Sequence, residues 1–133
     1  MTVAGTALKI GLLLALFAIP QAAALAQQGH PLVGSWSGDW GTSPAQRERV
    51  LLLLDYDGER ITGVINPGPN SIGLTHAELD PENWTVRFEA AASGGVGYLI
   101  EGRIENLGSI KERTIHGTWV QGSERGDFRI ILN

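Results

Sequence analysis

The sequence predicts an all-β protein: about eight short antiparallel strands closed into an up-and-down barrel, preceded by a cleaved signal peptide. Three observations carry that expectation. Clusters of Gly, Pro, Asn, Asp and Ser interrupt the chain roughly every dozen residues, the spacing of a β-meander. Between them apolar and polar residues alternate with period two, which places successive side chains on opposite faces of a strand. Beyond the N-terminal segment no helical segment is expected in the 133-residue chain, although Ser43-Pro44 before the apolar run at Val50 could start one.

The N-terminal segment comes first. Lys9 gives a positive start, Ile10 to Ile19 form an apolar run, Pro20 breaks it, and Ala24-Leu25-Ala26 supplies a small-x-small cleavage site. Residues 1–26 therefore read as a secretory signal peptide, too short and wrongly flanked for a spanning helix. The remainder, 27–133, is expected to be a single β-barrel domain in a secreted or periplasmic protein. The chain has ten Lys and Arg, one of them Lys9, against 14 Asp and Glu. So acidic a product, with no basic stripe, argues against nucleic acid or an anionic membrane surface as partner. It has no cysteine, which excludes disulfides, a thiol nucleophile and a lipid-modified cysteine anchor. The mature chain is expected to be free of the membrane and held together by its core alone.

The strands follow in order. In Gly34-Ser35-Trp36-Ser37-Gly38-Asp39-Trp40, both indoles share one face with Gly34 and Gly38, and the short polar residues share the other. The glycines leave room beside the rings and let the strand bend as a small barrel requires. Gly41 to Ala45 is a turn by composition. Arg47 to Tyr56 holds the run Val50 to Leu54; Asp57-Gly58 and the β-branched Ile61 to Ile65 beyond it make this a hairpin rather than a helix. Asn66-Pro67-Gly68-Pro69-Asn70-Ser71 cannot hold a ladder and is the most conspicuous loop. Ile72 to Leu79 and Trp84 to Ala90 are strands across a turn at Asp80 to Asn83, with Trp84, Val86 and Phe88 expected on the inner face. Ser93-Gly94-Gly95 leads to Tyr98–Glu105, Asn106-Leu107-Gly108 to Arg113–Gln121, and Gly122-Ser123 to a last strand over Asp127–Leu132. Eight strands is about the number at which a barrel is filled by side chains or holds one small ligand. A barrel is preferred to an open sandwich because the first and last strands both look like inner strands, which closure would pair.

The set Gly34-x-Trp36-x-Gly38, Asp57-Gly58-x-x-x-x-Gly63, Gly102 and Gly117-Thr118-Trp119-x-Gln121-Gly122 resembles the small β-domain found beside bacterial secreted α/β-hydrolases and peptidases. More distantly, the Gly-x-Trp opening is similar to that of the calycin barrels, lipocalins and avidins among them. The resemblance spans nearly all of the mature chain. It implies a lipocalin- or avidin-like barrel acting as an accessory domain, with catalysis housed elsewhere.

Candidate chemistry is sparse. There is no Gly-x-Ser-x-Gly elbow, and Glu101, Arg103 and Glu105 share the outward parity of a solvated strand face. His30, His76 and His116 are scattered, whereas a metal needs three or four converging ligands; neither metal nor cofactor is expected. Arg125-Gly126-Asp127 spells an integrin-type tripeptide that turn chemistry also explains. What remains is aromatic. Four tryptophans is a high number for a small acidic domain. Core filling accounts for them, and the functional alternative is a pocket lined by Trp36, Trp40, Trp84, Tyr98 and Trp119. The expectation is a non-enzymatic binding module for an apolar small molecule or a protein partner. The alternative is a structural accessory domain for a separately encoded secreted hydrolase, with no ligand of its own.

Overall fold

The computed structural model describes residues 29–91 and 95–133; the segment expected to be a signal peptide, 1–26, lies outside them. The strands are β1 (Gly34–Ser43), β2 (Gln46–Tyr56), β3 (Ile61–Ile65), β4 (Ile72–Asp80), β5 (Thr85–Ala90), β6 (Tyr98–Glu105), β7 (Thr114–Gln121) and β8 (Glu124–Leu132). Each pairs with the next, antiparallel, and β8 returns to β1 to close the barrel. Closure decides against the sandwich: β1 and β8 pair from Trp36↔Leu132 to Gly41↔Asp127.

Register places the apolar parity inside. Trp36 stands level with Leu52 and Leu132, Gly38 with Val50 and Ile130, and Trp40 with Phe128. On the far wall Val86 pairs with Gly102, and Phe88 with Ile100. Together with Ile65, Ile104 and Ile115 these form one continuous buried core.

The two ends of the barrel differ. The connections at 44–45, 66–71 and 122–123, with residues 91 and 95–97 between β5 and β6, frame one end, here called the mouth. The opposite end is plugged. Leu32 is fully buried there, and the buried Trp36 indole N–H donates to its carbonyl at 2.8 Å. The 106–113 loop covers the same end: Leu107 packs on the core, and Arg113 Nη2 donates to the Leu107 carbonyl at 2.9 Å.

Four expectations need correction. The space beside the indoles at Gly38 is occupied by main chain, since a Cβ there would collide with the Arg129 carbonyl oxygen of β8. Glycine is required by close strand approach at the seam, and it reserves no room for a ligand. The first hairpin is also tighter than its composition suggests: β1 runs to Ser43 through a bulge after Gly41, and only Pro44-Ala45 turn. Likewise β8 starts at Glu124, immediately after Gly122-Ser123.

Trp84 does not begin β5 with its ring in the core. It closes the β4–β5 turn at a positive φ of 53°, and it is 38 % exposed. Its carbonyl accepts the Ile104 amide at 2.9 Å. Asp80 builds that turn, accepting the Glu82 amide and the Asn83 side-chain amide, each at 2.9 Å. Once the turn consumes residues through Trp84, alternation starts at Thr85, one position later than the apolar pattern implied.

Candidate functional site

The strands bring three of the five pocket candidates together and leave two apart. Trp40 near the top of β1, Tyr98 at the first position of β6 and Trp119 near the end of β7 converge at the mouth. Trp40 stacks on Tyr98 with centroids 5.5 Å apart and planes at 24°. Trp119 leans against both, at 5.8 Å from Trp40 and 6.0 Å from Tyr98. These separations lie in the favourable range for aromatic pairs. The Trp119 indole N–H donates to the Asp127 carbonyl at 3.2 Å, which sets the tilt of its ring. The Trp40 indole N–H makes no hydrogen bond to a described residue. Trp36 belongs to the plugged end and Trp84 to the turn beside it, so neither reaches this cluster.

Above the rings lies a cup of about 310 Å³. Beneath them is an apolar cavity of about 30 Å³, bounded by Val50, Leu52, Ile65, Phe88, Ile100 and Ile130. That is about the volume of one water molecule, but without polar partners to hold it. Trp40 and Trp119 border both spaces. The barrel is thus filled by its own side chains, and the aromatic cluster is at once the roof of the core and the floor of the cup.

The walls of the cup are polar. Gln46 and Glu48 on β2, Gln121 on β7 and Glu124 on β8 line it. Their positions follow from register. Glu48 lies opposite Trp40 and Gln121 opposite Glu124, so all four continue the inward parity above the apolar layer. Glu48 and Glu124 are exposed and form no ion pair with a described residue. Their charge reaches Tyr98. Burial pushes the phenol pKa up, and the Glu124 and Glu48 carboxylates push it further, against an opposing hydrogen bond from Gln121. The Gln121 amide also donates to the Val96 carbonyl at 3.2 Å, tying the 95–97 segment to the rim.

Among the described residues Arg47 is the one cation bordering the cup, and its charge is engaged elsewhere. Its guanidinium spans two strands, bonding Asp39 on β1 at 2.5 Å and Asp127 on β8. Those hydrogen bonds hold the guanidinium pKa above its ordinary value. The Arg125-Gly126-Asp127 tripeptide accordingly lies within β8, with its carboxylate committed to Arg47.

His76 on β4 and His116 on β7 point away from the core. His76 Nε2 meets Glu78 at 2.6 Å and His116 Nε2 meets Glu105 at 2.8 Å. Among the described residues no group of three or more His, Cys, Asp or Glu converges on a point. Glu101, Arg103 and Glu105 are exposed on the outer face of β6, as their parity implies.

Sequence reasoning missed the four polar wall residues. The signal was present, because counting back in twos from Val50 reaches Glu48 and Gln46, and counting forward from Trp119 reaches Gln121. Attention to apolar residues alone stops one layer short of the mouth. Comparison with protein-family models, with curated proteins and with solved structures finds no match.

Proposed function

We propose that this chain is an exported, non-enzymatic binding module that holds a small molecule in the mouth of its barrel. The observation that carries this reading is the aromatic cluster of Trp40, Tyr98 and Trp119 at the base of a cup large enough for a small ligand. Rings that border an open cup have apolar area to bury, and the nearby polar side chains give direction, as in small-molecule sites generally. The filled interior argues against a ligand swallowed by the barrel: a guest rests on the floor rather than beneath it. Export rests on the N-terminal segment, which has the charge, apolar run and cleavage site of a signal peptide.

A second reading is a protein partner gripping the same rim, with the chain serving as the accessory domain of a separately encoded hydrolase. Val96, 54 % exposed, and Val120, 38 % exposed, favour it by placing apolar surface beside the mouth.

The two readings separate in one experiment. A panel of aromatic and alkyl small molecules is titrated into the purified mature protein, followed by tryptophan fluorescence and melting temperature. Small-molecule binding gives a saturable fluorescence change and a melting temperature that rises with ligand concentration. A Trp40→Leu variant that still folds should lose both. No saturable response across the panel contradicts the small-molecule reading and leaves the protein partner.

A further inference from the structure

The cup has a definite electrostatic character. Two carboxylates, Glu48 and Glu124, border it without ion-pair partners among the described residues. The bordering cation, Arg47, is held on the outer surface by Asp39 and Asp127. The floor is made of one phenol and two indoles, whose π faces are negative. Every charged or quadrupolar group free to act on a guest therefore has the same sign.

An anion entering the cup meets two carboxylates and gains no donor cation. A neutral apolar guest buries ring area and gains nothing from the walls. A small divalent metal keeps a tightly held hydration shell that ring faces cannot replace, and it prefers several converging oxygen ligands. An organic ammonium ion satisfies both parts of the site at once. Its N–H or N–CH3 groups carry a diffuse positive charge that sits favourably within about 6 Å of an aromatic centroid, best over tryptophan. Its charge is balanced by the walls, and its carbon skeleton covers the rings.

We propose that the mouth is a receptor for an organic ammonium cation, seated on Trp40, Tyr98 and Trp119 and neutralised by Glu48 and Glu124. The inference rests on the small-molecule reading above and narrows it to a ligand class. Each exposed carboxylate acts through partly screened charge, so selectivity accumulates from several modest contributions rather than from one buried ion pair.

The test uses pairs of guests that share a shape and differ in charge: 2-phenylethylamine against 2-phenylethanol, and choline against 3,3-dimethylbutan-1-ol. Calorimetric titration of the mature protein at low ionic strength should give each cation an affinity at least about tenfold above its neutral partner. That ratio should shrink as salt is raised. Both carboxylates are exposed, so the Glu48→Gln, Glu124→Gln double variant keeps its fold. It should bring the affinity of each cation down to that of its alcohol, leaving the alcohol unchanged. Equal affinities within both pairs in the unaltered protein would overturn the ammonium inference and leave the small-molecule reading standing. A charge preference that survives the double variant also overturns it, because the discrimination then arises elsewhere. Absence of binding by all four probes overturns both readings.

Discussion

Tyr98 reports on the electrostatics of the mouth. Its phenol is raised chiefly by burial and then by Glu124 and Glu48, so in ultraviolet titration it should ionise above the usual phenol value of about 10. Glu124→Gln or Glu48→Gln should lower it partway, because burial remains. A titration unaffected by either variant would mean that the carboxylates do not act on the cup. At the other end, Trp36 is fully buried and bonded to Leu32. Trp36→Ala removes the largest buried side chain and should cost about 3–5 kcal/mol in denaturant melts. A loss below about 1 kcal/mol would contradict its burial. Both aromatic roles rest on strand parity, and parity was legible from the Gly34–Trp40 alternation. It could not show how far up the barrel each residue stands, because height depends on cross-strand register. For that reason parity alone puts Trp36 and Trp40, four residues apart on one face, in one pocket, whereas the fold gives the first to the plug and the second to the cup.

The elements carry their own tests. At the β1–β8 seam Gly38 faces main chain so closely that any side chain must push the strands apart. Gly38→Ala should therefore destabilise by about 1–3 kcal/mol or more, as overpacking does. A neutral result would mean that the seam is loose. The hairpin turns predict a pH dependence. Asp57 accepts the Arg60 and Glu59 amides at 2.7 and 2.8 Å, and these bonds lower its pKa. Asp80 is lowered by the Asn83 side chain and the Glu82 amide. A lowered carboxylate contributes stability that is present above the unfolded value of about 3.9 and is lost as pH falls through the folded value. Asp57→Asn and Asp80→Asn should each flatten the acid limb of urea midpoint against pH, and an unchanged limb would contradict the turn geometry. Strand positions were read almost completely from turn residues and alternation, because both signals are local. Trp84 escaped that reading: its place in the turn depends on Asp80 contacts and a positive φ, neither of which leaves an apolar pattern.

The described strands form a barrel with one stoppered end and one open end, and the sequence foretold the barrel better than the asymmetry. Closure followed from two inner-looking terminal strands. The cup did not, because its walls are ordinary polar residues at strand ends, indistinguishable from solvated positions until register brings them around the rings. Export makes a separate prediction: N-terminal sequencing of protein collected outside the cytoplasm should begin at or near Gln27. An intact Met1 on membrane-retained protein would contradict it. The central claim is that the mouth over Trp40, Tyr98 and Trp119 binds a ligand, and the four indole N–H resonances of the 15N-labelled protein test it most directly. Titration with 2-phenylethylamine should shift the Trp40 and Trp119 signals saturably, while Trp36, buried under the plug, and Trp84, in the β4–β5 turn, stay in place. A spectrum in which the Trp40 and Trp119 signals do not move, or in which all four move together, would contradict the account.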